Sequence, residues 1–388
     1  MCGIVGAIAR FNIVPHLLEG LRRLEYRGYD SAGIAVITRG RLERLRLPGK
    51  VQTLADALAS APLEGFIGIA HTRWATHGPP SEQNAHPHIC CNEIAVVHNG
   101  IIENHEALRL AQSAAGYRFT SQTDTEVIAH QIHWHLRQGL DLLQAVRATT
   151  QELEGAFALG VISIHEPDRL IAARRGSPLV IGLAEGGNFI ASDIAALLPL
   201  TRRFIHLEDG DLADITREGI AIYDDKGRPA RRPEKLTDLA PDAVERGQYR
   251  HYMQKEIFEQ PQAISETLEG RIARGKVLEA AFGPKAKSIF DQTRAVYIIA
   301  CGTSYHAGLV ARNWFEGLAG IPCRVEVASE FRYRHPVVDP DTLFVFISQS
   351  GETADTLAAL RKVKAGDIAF TGPPPAKSPA LAICNVPE

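Results

Sequence analysis

The feature that most constrains the fold is a change of pattern at residues 224–250. There DDKGRPARRPEKLTDLAPDAVERGQYR is charged, contains prolines and nearly lacks apolar periodicity. A chain of 388 residues is too long for one ordinary core. The stretch therefore reads as a linker between two domains of different architecture, at 2–223 and 251–388. Before it, short β-rich runs recur at Ile4–Ala9, Ser31–Thr38, Phe66–His71, Ile94–His98, Ala156–Ser163, Leu170–Arg174, Leu179–Leu183 and Phe189–Ala191. Helical periods interrupt them at Pro15–Leu24, Thr53–Ala59, Asn104–Ala115, Thr125–Gln138 and Leu140–Leu153. Elements that come in groups, without strict alternation, predict a layered α+β domain.

After the linker the pattern changes. Helical sequence at His251–Glu269 and Val277–Ala281 precedes apolar runs at Val296–Ala300, Arg324–Ala328, Leu343–Ile347 and Leu381–Val386, each leading toward a helix. This predicts a parallel α/β sheet. Beyond the helix expected at Ala354–Val363, KAGDIAFTGPPPAKSPA interrupts the alternation. Three successive prolines continue neither a helix nor a central strand, so an inserted loop is expected.

Composition narrows the partners. A formal net charge of -3 gives no basic stripe for nucleic acid or an acidic membrane surface. Six thinly spread cysteines form no C-x-x-C pair and no disulfide framework, which fits a reducing cytosol. The opening run has no basic residues before it and meets Arg10 early, unlike a signal peptide, and no stretch approaches the roughly 20 apolar residues of a membrane span. Cytoplasmic placement is expected, with small molecules or other protein chains as partners.

The start, MCGIVGAIA, sets a cysteine directly behind the initiator methionine. Removal of Met1 would give Cys2 a thiol and a free α-amine together. With a reference pKa of about 7.7 to 8.0, that amine can serve as the thiol's general base. The alternative is an accidental cysteine. VVHNG at Val96–Gly100 fits an oxyanion site, with a close-approaching backbone at Gly100 and an amide donor at Asn99. It equally fits an ordinary Asn-Gly hairpin turn. Within HTRWATHGPPSEQNAHPH, Arg73, Trp74, Thr76 and His77 bring a guanidinium, a hydroxyl and an imidazole together, suited to a substrate carboxylate. Asp124 in SQTDTEVIAH is either a helix N-cap or the partner of a substrate ammonium.

In order along the chain, MCGIVGAI, LEYRGYDSAG, HTRWATHG, VVHNGIIEN and SQTDTE resemble the N-terminal-nucleophile, class II glutamine amidotransferases. The resemblance implies two stacked antiparallel sheets covered by helices. It also implies Cys2 as nucleophile toward L-glutamine, Asn99 and Gly100 as the oxyanion hole, and Arg73, Thr76 and His77 around the glutamine carboxylate. Asp124, with the Gly100 backbone, would hold the amine; Trp74 would lie in a loop closing over the substrate, and His86 close to the pocket.

Other residues invite a metal reading. His130, His133 and His135 in HQIHWHL could share a helix face, but no carboxylate or cysteine companion is evident, and no metal or organic cofactor is expected. HPH at 86–88 reads as a metal half-site or a loop pair near the pocket; Cys90 and Cys91 read as structural or mildly exposed thiols.

In the second domain, AVYIIACGTSYHAG and FVFISQSGETADTLAAL each run from a buried strand through Ser, Thr and Gly into a helical pattern. Such turns cradle phosphate or are simply tight, capped βα turns. Neither is a Walker A loop or a G-x-G-x-x-G fingerprint, which disfavours a nucleotide. They resemble the sugar-isomerase (SIS) fold, a flavodoxin-like parallel sheet. With HYMQKEI and SEFRYR, the chain up to about Lys362 resembles the isomerizing glutamine:fructose-6-phosphate amidotransferase family, which forms glucosamine 6-phosphate in amino-sugar biosynthesis. The resemblance implies that Gly302, Thr303, Ser304, Ser348, Gln349, Ser350 and Thr353 contact fructose 6-phosphate, with Cys301 and Glu352 beside them. It further implies a homodimer and, beyond Glu388, a second SIS subdomain and a tail carrying the Schiff-base lysine and the isomerization acid/base residues. The expectation is a truncated chain with glutaminase activity at most; a non-enzymatic phosphosugar-binding fragment or another class II amidotransferase is the alternative.

Overall fold

The computed structural model describes residues 2–74, 77–237, 249, 251–268, 271–273, 276–282, 285–349, 351, 353–373, 375 and 378–384. The chain divides into two compact units, Met1–Gln248 and Tyr249–Glu388.

Unit 1 is built on two sheets. The first runs, in spatial order, β15 (Glu234–Leu236), β11 (Arg203–His206), β9 (Val180–Ala184), β10 (Gly187–Ala191), β1 (Gly3–Ala9), β4 (Ile67–Arg73), β2 (Ser31–Thr38) and β3 (Arg41–Pro48). The second runs β14 (Pro229–Ala230), β13 (Ile220–Tyr223), β12 (Leu212–Ile215), β8 (Leu170–Arg175), β7 (Gly155–Ser163), β6 (Ile94–Ile102) and β5 (His88–Cys90). Neighbouring strands pair antiparallel in both.

The period-2 alternation of the strands explains the layers. Ile4 and Ile8 of β1, with Ile67 and Ile69 of β4, meet Ala95 and Val97 of β6 in a core between the sheets. The intervening Val5, Ala7 and Ala9 face α1 (Val14–Arg23) and α2 (Val51–Ser60). On the far side, Ile94 and Val96 pack against α4 (Glu126–Arg137) and α5 (Leu142–Glu152), with α3 (His105–Ala114) alongside. The result is a helix–sheet–sheet–helix sandwich, as expected.

Three local findings depart from the sequence reading. β3, β5, β11, β12 and β13 lie outside the runs read from the sequence: the exposed positions of β3 are charged and hide its alternation, and the other four strands are only three or four residues long. Pairing also continues into the stretch read as linker: β14 and β15 add short edge strands after residue 223. Edge positions tolerate prolines and charges, so such strands leave little apolar signal. Finally, Asp124 does not cap α4. The N-cap is Thr125, and Asp124 instead accepts the Ile102 N–H at 2.9 Å.

Unit 2 opens with α6 (Tyr252–Leu268), the short antiparallel pair β16 (Ile272–Ala273) and β17 (Lys276–Val277), and α7 (Ala286–Gln292). Val277–Ala281, read as helical, is thus the end of a strand followed by a 3₁₀ turn at Glu279–Phe282. A four-stranded sheet follows, ordered β19 (Cys323–Val327), β18 (Ala295–Ala300), β21 (Thr342–Ser348), β23 (Ala380–Cys384), with all pairings parallel. Tyr297, Ile299, Phe344 and Phe346 pack against α9 (Ala328–Tyr333) and α10 (Ala354–Ala365). Val296, Ile298 and Val345 pack against α7 and α8 (Gly302–Ala319) on the other face. Helices on both faces of a parallel sheet match the expected α/β architecture. The stretch after α10 is not wholly loop: β22 (Ala369–Phe370) pairs in parallel with β20 (Val337–Val338). Among the described residues, no helix is long and apolar enough to cross a membrane.

Candidate active site

The strand periodicity that builds the sandwich also assembles the site. On β4, His71 and Arg73 continue the inward row of Ile67 and Ile69; on β6, Asn99 continues that of Ala95 and Val97. Cys2, one residue before β1, shares the parity of Ile4, whose cross-strand partner is His71. These side chains therefore meet at one end of the inter-sheet space.

Cys2 is partly buried and held by hydrogen bonds. The Trp74 N–H donates to Cys2 Sγ at 3.2 Å, and the Asn99 Nδ2 donates to the Cys2 carbonyl at 3.2 Å. Burial pushes the thiol up from its ordinary range, while the Trp74 N–H and the Arg73 charge pull the other way. The thiol therefore needs a base before it can attack.

The orientation of Asn99 is set from behind. His71 Nε2 lies 2.9 Å from Asn99 Oδ1 and 3.0 Å from the His98 carbonyl. Burial drives His71 down to about 3, so the ring is neutral; with two oxygen acceptors facing Nε2, the proton belongs on that nitrogen. The donated hydrogen bond fixes which end of the Asn99 amide faces Cys2. Behind His71 stacks His86, with ring centroids 4.2 Å apart, and His86 meets His88 edge-on. Burial holds both rings well below the ordinary histidine range. His98 faces the helical side and bonds Thr125 Oγ1 at 2.9 Å. Sequence reading missed His71 and His98, although the inward parity of His71 was visible in FIGIAHTR. Gly100, adjacent to Asn99, has φ +135°, and a Cβ there would stand 2.0 Å from the Ala156 carbonyl oxygen.

The remaining glutamine-site candidates divide. Arg73 is buried, and its Nη2 bonds the carbonyls of His77 and, at 3.1 Å, Gly78. Its guanidinium thus pins the turn that follows it. Trp74 is half exposed and lies against Gly28, whose φ of +73° and missing Cβ both suit the contact. His77 Nδ1 stands 3.9 Å from Asp124 Oδ1. Thr76 lies outside the described residues.

In unit 2 the pairing of Ala300 with Ile347 sets the ends of β18 and β21 side by side. Cys301 is the N-cap of α8, and Gly302, Thr303 and Ser304 form its first turn. Thr353 is the N-cap of α10, and its hydroxyl lies 2.9 Å from Ser348 Oγ. Gln349 is exposed beside them, whereas Ser350 and Glu352 lie outside the described residues. Two helix N-termini at the carboxyl edge of a parallel sheet suit an anionic group.

A family model described as a glutamine amidotransferase domain matches residues 71–199, and one described as a SIS domain matches residues 289–372. The glutamine--fructose-6-phosphate aminotransferase [isomerizing] of Pseudomonas putida is 59% identical over 387 residues, covering 100% of this chain and 62% of that protein. Along its whole length the chain is similar to this relative, and the two matches place a glutamine amidotransferase domain ahead of a SIS domain. Its counterpart in Escherichia coli O6:H1, with the same printed name, is 57% identical over 388 residues with the same coverage. The chain thus spans about 62% of the length of the curated relatives it matches. Among solved structures, the glutamine phosphoribosylpyrophosphate amidotransferase of B. subtilis is similar at a TM-score of 0.51 and 20% identity, over 84% of this chain and 65% of that one. That likeness carries the fold alone. Unit 1 contains the amidotransferase match, and unit 2 contains the SIS match.

Proposed function

We propose that the chain hydrolyses L-glutamine through a Cys2 thioester and that the ammonia serves to convert fructose 6-phosphate into glucosamine 6-phosphate. The observation that carries this reading is the meeting of the Cys2 thiol, the Trp74 N–H and the His71-oriented Asn99 amide at one end of the sandwich.

Once Met1 is removed, the Cys2 α-amine takes the thiol proton, and the thiolate attacks the side-chain amide carbon of glutamine. Asn99 Nδ2 and the Gly100 N–H stabilise the oxyanion. The α-ammonium then returns its proton to the leaving nitrogen, ammonia departs, and water cleaves the thioester to glutamate. Arg73, Thr76 and His77 hold the substrate carboxylate, Asp124 with the Gly100 backbone holds its ammonium, and Trp74 covers it, with His86 supporting the pocket from behind. In the SIS unit, the turns at Cys301–Ser304 and Ser348–Thr353 take the sugar phosphate. The printed name of the relatives supports the choice of sugar. Spread-out free thiols support action in the cytosol, and the family resemblance supports a homodimer.

The test incubates the purified chain with glutamine, with and without fructose 6-phosphate, and measures glutamate and glucosamine 6-phosphate separately. Intact mass reports Met1 removal. Glutamate release is expected, and Cys2→Ala abolishes it. A folded, processed sample that binds the sugar phosphate but releases no glutamate would overturn the proposal in favour of a binding module.

A further inference from the structure

The strongest unassigned cluster lies on the opposite, helical side of the second sheet. The β5–β6 turn is tight, with Cys91 at φ +53° and Asn92 at φ +57°, and it brings the Cys90 and Cys91 sulfurs to 3.6 Å. Helix α4 packs over this turn and adds His133, so that Cys90 Sγ, Cys91 Sγ and one His133 ring nitrogen all lie within 4.8 Å of one another. The cysteine companions that HQIHWHL lacks in the sequence are thus supplied by a strand some 40 residues earlier.

We propose that Cys90, Cys91 and His133 form a binding site for a zinc ion. Three observations converge on it. First, two thiolates and an imidazole are a soft-to-borderline donor set that suits zinc over magnesium or calcium. Second, the spacing fits: tetrahedral zinc with Zn–S bonds of about 2.3 Å separates two sulfurs by about 3.8 Å, close to the 3.6 Å between these two. A disulfide would instead need about 2.05 Å and a dihedral that adjacent residues reach only with strain.

Third, the surroundings resemble an outer shell of metal ligands. Tyr117 Oη lies 2.7 Å from His133 Nδ1, and Glu93 Oε2 lies 3.4 Å from His133 Nε2, so whichever nitrogen faces the sulfurs, the other keeps a polar partner. His130 Nδ1 lies 3.1 Å from Cys90 Sγ and hydrogen-bonds it. Cys91, His130, His133 and Tyr117 also line a surface cavity, which gives the ion an entry path and leaves a fourth position for water. On binding, each thiol gives its proton to solvent and forms a Zn–S bond, and the neutral imidazole contributes its lone pair; nothing is oxidised. The glutamine-hydrolysing residues take no part.

The test titrates the full chain, kept reduced with a non-chelating phosphine, with Co²⁺ as the spectroscopic stand-in. One equivalent is expected to produce a sulfur-to-cobalt charge-transfer band and tetrahedral ligand-field bands, both removed by Zn²⁺. Cys91→Ser and His133→Gln should each weaken binding by at least about tenfold, and the rise in thermal midpoint that Zn²⁺ gives the parent chain should shrink in both. Cys91 is exposed on a turn, so its variant keeps the fold, and His133→Gln provides an independent second readout. Absence of the charge-transfer band, or an unchanged affinity in both variants, overturns the proposal; the second result assigns the metal to other thiols.

Discussion

At the scale of single residues, a buried histidine stands behind the Cys2–Asn99 pair. His71 fixes the Asn99 amide by donating to Oδ1 at one end, while the Cys2 carbonyl accepts from Nδ2 at the other. Removing an oxyanion donor outright typically costs about 10²–10³ in rate. Loss of the residue that orients it should cost less, about tenfold. His71→Ala is expected to lower kcat for glutamine hydrolysis while KM stays close to the parent value. His71→Gln, whose amide N–H can donate to the same oxygen, should recover part of the loss. Steady-state kinetics on both variants decides: a general structural role would move KM and kcat together and would show no rescue.

At the scale of elements, β6 brings three roles into adjacent positions by facing two ways. Asn99 points between the sheets, His98 points to α4, and Gly100 lets the strand run close to β7. The register pairs Gly100 with Phe157, and a methyl group would collide with the neighbouring Ala156 carbonyl while forcing alanine into positive φ. Gly100→Ala should therefore destabilise unit 1 by at least about 2 kcal/mol, read as a lowered urea midpoint, together with loss of glutamate release. An unchanged midpoint would show that the strand can shift to accept a Cβ. The Asn-Gly pair carries no hairpin here, since β6 runs unbroken through it to Ile102.

At the scale of the whole molecule, the buried histidines couple folding to pH. His71, His86 and His98 are held neutral by burial, with His71 pushed down to about 3 against a usual value near 6.5 in an unfolded chain. Between those two values the unfolded chain binds more protons than the folded one, so stability rises with pH. The contribution is complete above about pH 6.5 and is lost as pH falls toward 3, by up to about 1.4 kcal/mol per pH unit for each such ring. Urea unfolding of the full chain between pH 7 and 5 should show this decline, with a shallower slope in His71→Gln; a flat profile would mean that the rings take up protons without unfolding. The sequence by itself determined the two architectures, because period-2 and period-3.6 apolar patterns fix which faces must be buried. It also singled out Cys2, from its place behind Met1, and Asn99 and the two βα turns of unit 2, each of which follows an apolar run legible in the sequence. Only the tertiary structure decided which distant residues meet. Asp124 bonds the β6 backbone where a cap was an option, Arg73 pins its own turn, and the edge strands after residue 223 depend on partners that leave no apolar trace. His71 reaches Asn99, and Cys90 and Cys91 reach His133, through sheet register and helix packing, which join positions about 28 and 40 residues apart that no local pattern connects.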